Sequence, residues 1–166
     1  RRSEGKETNG EINKFLKANS KIWVYATSEK NDRNITCRHD VRVNITQEEI
    51  SFQRYYNKST HELLKGKFLN WNDPGNKTYD AMYVTDTENN SVTDEVIEYV
   101  SSDNSCAVFS VSPMRTAHTE TLREIRVPED ALGRQPEEGC QKKFEEILNL
   151  AGKKERSRYS PSCKIE

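Results

Sequence analysis

The chain has 166 residues, with 26 Lys plus Arg against 27 Asp plus Glu and a formal net charge of −1. That balance denies it the basic face of a nucleic-acid binder, and no run approaches the roughly 18 consecutive apolar residues of a membrane span. Only 33% of the residues are apolar, but aromatic residues and alternating segments continue from Phe15 onwards, so a narrow core under a polar surface is expected instead of disorder.

Residues 1–9 are charged and small and are expected to be a mobile N-terminus; residues 10–166 are expected to form one domain. Asn9 can cap a short helix over 10–19, with Ile12, Phe15 and Leu16 on one stripe. A strand follows over 21–28, then turn chemistry at Asn31-Asp32-Arg33-Asn34. The segment 35–45 alternates cleanly. Ile35, Cys37, His39, Val41, Val43 and Ile45 are expected to face the core, and Arg38, Asp40, Arg42 and Asn44 the solvent. Further strands are expected over 49–56, 61–69, 78–85, 92–100, 106–111 and 119–127, with the clearest turns at 72–75 and 88–91. Eight short strands at regular spacing mark a sandwich or an up-and-down barrel. After the loop 128–139 the period changes. Cys140, Phe144, Ile147, Leu148 and Ala151 define one face of a helix over 137–151, with Gly152 as its stop. The basic run 153–158 reads as a solvated helix end.

The cysteines, Cys37, Cys106, Cys140 and Cys163, form no C-x-x-C pair. An even, widely spaced set points to two disulfides in an oxidising compartment, and spacing leaves all three pairings open. Five N-x-[ST] sequons, at Asn34, Asn44, Asn57, Asn76 and Asn89, point the same way. The chain is therefore expected to be a secreted glycoprotein in its mature form. The three histidines, His39, His61 and His118, lie in no metal-ligand motif, and no nucleophile elbow or phosphate loop occurs. No enzyme activity, cofactor or metal is expected. Glu124 and Arg126 read as a structural ion pair.

Several stretches together resemble the tick salivary lipocalins, the family of the histamine-binding proteins. They are Phe15-Leu16-Lys17-Ala18-Asn19 running to Trp23-Val24-Tyr25-Ala26-Thr27, Lys30-Asn31-Asp32 before Cys37, and Thr93-Asp94 with Val96-Ile97-Glu98-Tyr99 leading to Cys106. Cys140 with Lys143-Phe144-Glu145-Glu146 and the ending Ser162-Cys163-Lys164-Ile165-Glu166 complete the set. The resemblance implies an eight-stranded antiparallel up-and-down barrel, mainly β, with a short N-terminal helix, a C-terminal helix packed outside, and the bridges Cys37–Cys163 and Cys106–Cys140. It implies a monomer secreted in saliva that sequesters a host mediator. It also implies which residues decide the ligand. Amine-binding members carry an acid after the second cysteine, where this chain has Ala107. They carry Glu-Leu-Trp where this chain has Glu124-Ile125-Arg126, and an aspartate where it has Asn19; Asp94 matches an acidic ligand position.

An inward Arg126 would repel an amine and welcome a carboxylate or hydroxyl. A lipophilic ligand of the leukotriene, fatty acid or sterol class is therefore expected. The alternatives are a histamine or serotonin scavenger and an immunomodulator that binds a host immune protein or cell. The expected ligand-binding residues are Tyr25, Val41, Val43, Phe52, Met82, Val84, Asp94, Tyr99, Phe109, Glu124 and Arg126, with Ile125 also inward and Trp23 or Trp71 at the floor or mouth.

Overall fold

The computed structural model describes residues 6–7, 12–117 and 120–164. Asn9, Gly10 and His118 lie outside the described residues, as does most of the expected mobile N-terminus. Within that segment, Lys6–Glu7 (β1) pairs with Val100 and Tyr99.

The alternating segments become eight strands: Lys21–Thr27 (β2), His39–Ile45 (β3), Glu49–Tyr55 (β4), His61–Leu69 (β5), Ala81–Thr85 (β6), Ser91–Val100 (β7), Ala107–Pro113 (β8) and Leu122–Pro128 (β9). Each pairs antiparallel with its successor, and β9 pairs back onto β2, so the sheet closes into a barrel without edges. Asn34, Asn89 and Asn104 have positive φ in the turns, a conformation that asparagine tolerates because its short amide bonds locally. Bulges at Val24/Ala26, Arg42/Asn44, Val84/Thr85 and Ile97/Tyr99 break the simple in–out alternation.

One cluster fills the barrel. Ile22, Ile50, Phe52, Leu64, Phe68, Met82, Val84, Ile97, Phe109 and Val111 meet Ile12, Phe15 and Leu16 of the helix Ile12–Ala18 (α1). That helix closes one end. Arg42 of β3 donates to the carbonyls of Leu16 and Lys17, and so satisfies groups that a helix C-terminus leaves open. Asn19 donates to the carbonyls of Phe15 and Asn104 and ties the helix to the β7–β8 turn. At the inward Gly66 an added Cβ would lie 2.6 Å from Met82 Sδ, so the missing side chain is what lets Met82 lie across the lumen.

A second cluster lies outside the barrel wall. The helix Glu138–Ala151 (α2) presses Cys140, Phe144 and Leu148 onto Tyr25, Ala26, Tyr99, Val108, Ile125 and Val127. Glu137 caps the helix by accepting from Cys140 N, and Gly152 ends it with φ 67°. The bridges are Cys37–Cys163, spanning 126 residues, and Cys106–Cys140, spanning 34. The first pins the tail to the β2–β3 connection, and the second pins α2 to the start of β8. The tail also adds a two-residue strand, Ser157–Arg158 (β10), along β2. Among the described residues no helix is long and apolar enough to cross a membrane.

Candidate functional site

The centre of the lumen is charged, and the charges answer one another. Arg126 of β9 donates from Nε to Glu124 Oε1 at 3.0 Å and from Nη1 to Glu95 Oε1 at 2.8 Å. Arg54 of β4 donates to Glu95 Oε2 at 2.8 Å and forks onto Asp40 with two bonds of 2.9 Å. Arg38 donates to Glu124 Oε2 at 2.7 Å and to Glu29 at 3.2 Å. Thr93 donates its hydroxyl to Glu95 Oε2 at 2.6 Å. Three arginines thus face three carboxylates, with Glu29 at the solvent edge. The Arg126 guanidinium lies 4.2 Å from the Phe109 ring centroid and that of Arg54 lies 5.1 Å from Phe52, within cation–π range.

Burial alone would raise the Glu95 carboxyl. Arg126 and Arg54 beside it, with the bonds from Arg54 and Thr93, hold it well below the ordinary carboxylate range. Burial opposes ionisation of Glu124 too, and Arg38 and Arg126 outweigh it and lower its pKa. Both stay ionised, as buried charges do only when paired.

The side chains around this network are almost completely buried. Glu95, Glu124 and Phe109 are fully buried, and Leu64, Met82, Val84 and Val111 are within 1% of it. A ligand-sized space would leave such side chains accessible. Between Leu16, Ile22, Asp40, Phe52 and Met82 a gap of about 10 Å³ remains, close to the volume that one water needs. At the end opposite α1, Arg115 of the β8–β9 connection reaches across to Glu62 of β5 with bonds of 2.7 and 2.9 Å and to Asp86 at 3.3 Å. Tyr56 also donates to Glu62; burial and this bond push its hydroxyl up to about 12.

Of the residues expected to bind ligand, Phe52, Met82, Val84, Phe109, Glu124 and Arg126 meet inside the barrel. The other five do not. Val43 is 61% exposed, next to the bulge at Arg42/Asn44. Val41 lies outside with Lys21 and Gln53 as register partners, because Asp40 and Arg42 turn inward. Tyr25 and Tyr99 sit beside bulges and pack under α2 and the tail, as Ile125 does. Tyr25 accepts from Arg158, and Tyr99 donates to Glu137. Asp94 faces outward between Tyr83 and Ser112, and its neighbour Glu95 is the inward acid. Burial and Glu95 raise the Asp94 carboxyl, and its Oδ1 is buried without a hydrogen-bond partner.

Asp40 and Arg38, expected to face solvent, turn into the site, and Arg54 and Glu95 join them although neither was among the expected ligand-binding residues. Arg54 carried a usable signal: it follows Ile50 and Phe52 at period two, on the apolar phase of β4. Trp23 is outside the lumen, stacked on His39 at 4.0 Å and donating to Glu129. His39 stacks in turn on Tyr55 at 4.7 Å, and burial lowers its pKa. Trp71 is half exposed in the β5–β6 connection. Ala107 is buried beside Arg126 in register. The five sequon asparagines are all exposed.

No curated protein matches the chain. Among solved structures it is similar to AM182 in its serotonin complex, with 16% identity over 88% of this chain and 86% of that one and a TM-score of 0.62. It is similar to the siderocalin Ex-FABP, described as having dual ligand specificities, with 9% identity over 89% and 94% and a TM-score of 0.59. Japanin from Rhipicephalus appendiculatus, bound to cholesterol, shares 16% identity over 78% and 87% with a TM-score of 0.47. The sequence profile described as tick histamine binding protein matches residues 2–165. With the closed barrel, the two outer bridges and this match over nearly its whole length, the chain belongs to the tick histamine binding protein family.

Proposed function

We propose that this protein is a secreted, glycosylated salivary lipocalin, one domain over 10–166, that sequesters a small lipophilic host molecule and so dampens the host's inflammatory or immune response. A leukotriene, a fatty acid or a sterol is the class intended. The observation that carries this reading is the pairing of Asp40, Glu95 and Glu124 with Arg54, Arg126 and Arg38. A protonated amine entering the barrel needs a carboxylate, and each of these three already holds an arginine. Taking one would break charge-assisted bonds, which are the strong ones. An apolar ligand needs none of these carboxylates. It displaces Leu64, Met82 or Val84 from contacts that its own surface replaces, at about 25 cal/mol per Å² before binding costs. Arg115, Glu62 and Asp86 stand at the entrance it would use.

A second reading, recognition of a host immune protein by the outer surface, is favoured by the tight packing of the lumen. One experiment addresses both. The purified, deglycosylated protein is examined by native mass spectrometry for retained small molecules. It is then titrated with histamine, serotonin, a leukotriene, a fatty acid and cholesterol. A retained or tightly bound lipid, with amines at least tenfold weaker, is the expected result. Tight amine binding without lipid binding would overturn the reading, and silence from every ligand would transfer the case to the protein partner.

A further inference from the structure

We infer that Arg126 is a built-in cation, seated in a cradle of Glu95, Glu124 and the Phe109 ring face that fits a small organic cation, and that this side chain sets the barrel's ligand preference. The inference deepens the proposed function and rests on its placing of the ligand inside the barrel. The cradle has the chemistry of cation recognition: carboxylate oxygens at 2.8 and 3.0 Å and an aromatic face at 4.2 Å. It is complete without Arg126, because other residues hold each part. Glu95 is anchored by Arg54 and Thr93, and Glu124 by Arg38.

Charge counting says the same. Asp40, Glu95 and Glu124 balance Arg38, Arg54 and Arg126. Removing Arg126 leaves one uncompensated buried negative charge, which a single monovalent cation restores to zero. The fit of Arg126 is also incomplete. Its Nη2 lies 2.9 Å from Glu124 Oε1 but makes no hydrogen bond, and it is buried from water. A free ammonium, whose three donors can rotate, is not bound by the fixed fork of a guanidinium tied to β9.

Replacement by alanine makes the test specific, because Arg126→Ala deletes the atoms of an ethylguanidinium ion. The wild type, Arg126→Ala and Arg126→Met are compared by thermal unfolding and calorimetric titration. The probes are ethylguanidinium, its neutral analogue ethylurea, serotonin and matched sodium chloride. The wild type should respond to ethylguanidinium no more than to salt. For Arg126→Ala, about 10 mM ethylguanidinium should raise Tm by about 3–6 °C if its Kd is near 1 mM, and ethylurea should not. Serotonin, about twice the size of the group removed, exceeds the space that Arg126→Ala opens and should bind the variant no more tightly than the wild type. Arg126→Met has the same charge deficit but fills the space, and it should show no saturable cation binding. An equal response to ethylurea, no response at all, or equal cation binding by the Met variant would overturn the inference. If Arg126→Ala does not accumulate folded, refolding from urea with and without ethylguanidinium makes the recovered yield the readout, and an unchanged yield overturns it. Lipid titration of the wild type judges the proposed function separately: rescue of Arg126→Ala without lipid binding by the wild type would sink that reading and leave the cradle standing.

Discussion

Glu95 is the centre of the charged lumen, and Glu95→Gln tests whether the network is structural in the way its geometry implies. The carboxylate is fully buried and accepts from Arg54, Arg126 and Thr93 at 2.6 to 2.8 Å. The amide keeps the shape but loses the charge, so the buried set goes from neutral to +1. One amide oxygen then faces two guanidinium groups, and the amide hydrogens point at donors. Breaking a buried pair from one side costs about 3–5 kcal/mol, because the partner charge stays buried. Arg54 keeps its fork on Asp40 and Arg126 keeps Glu124, which places the cost at the lower end, about 3 kcal/mol. For a chain of this length that lowers Tm by about 6–12 °C. The assay is urea and thermal unfolding at pH 7, followed by circular dichroism and by fluorescence from the buried Trp23. Glu62→Gln is the control: its partner Arg115 is 42% exposed, so the change should cost about 1 kcal/mol or less. A loss at Glu95 no larger than that at Glu62 would refute the claim that the network holds the barrel together.

The folded-state pKa values of Glu95 and Glu124 lie below the ordinary value of 4.5, so the unfolded chain takes up their protons first. Their contribution is complete above that value and is lost as pH falls through it toward the folded values; the urea midpoint should hold from pH 7 to about 5 and then drop, and a midpoint unchanged down to pH 3 would contradict the assignment. Loop-closure entropy predicts that opening Cys37–Cys163, with its span of 126 residues, costs about 5 kcal/mol and opening Cys106–Cys140, with 34, about 4 kcal/mol; paired Cys→Ser variants read by urea unfolding check the order. Phe109→Ala empties a fully buried site against Phe15 and Arg126 and should cost about 3–5 kcal/mol. Val43→Ala, on the exposed side of β3, should stay within about 0.5 kcal/mol in the same assay.

Element positions were legible because the period of two is clear in strands such as β4 and β5 and the period of 3.6 in α2, and both depend on local sequence. The bridge pairing was legible only through resemblance, since spacing left three options. What failed was the facing of residues. In β3 the apolar set Val41 and Val43 lies outward while Asp40 and Arg42 lie inward. The usual rule assigns charge to the solvent side. Here the inward charges are neutralised by partners far along the chain: Asp40 meets Arg54, Arg54 meets Glu95, and Arg38 meets Glu124 at a separation of 86 residues. No local pattern carries that information. The outer face departs from the rule for a related reason: His39 is covered by Trp23 and Tyr55, and Tyr25, Tyr99 and Ile125 are covered by α2 and the tail. The bulges at Val24/Ala26 and Ile97/Tyr99 then shift parity within strands whose extent was read correctly.

The adjacent acids of β7 show the same inversion of facing. Asp94 matched a family ligand position, and the side chain that enters the lumen is the next one. Their environments drive them in opposite directions. Arginines lower the Glu95 carboxyl, whereas burial and Glu95 itself raise that of Asp94. A raised carboxyl binds its proton more tightly when folded, so the ionised Asp94 weakens the fold at neutral pH, and that penalty fades as pH falls. Asp94→Asn removes the charge and gives the site amide donors with little change in shape. The site is partly open to solvent, so screening keeps the gain to about 0.5 kcal/mol at pH 7, smaller still at pH 4. Glu95→Gln should lose several times as much at pH 7. The two variants are measured side by side by urea unfolding at both pH values. A clear loss from Asp94→Asn at pH 7 would mean that its carboxylate holds a favourable partner, and would refute the raised carboxyl assigned to it.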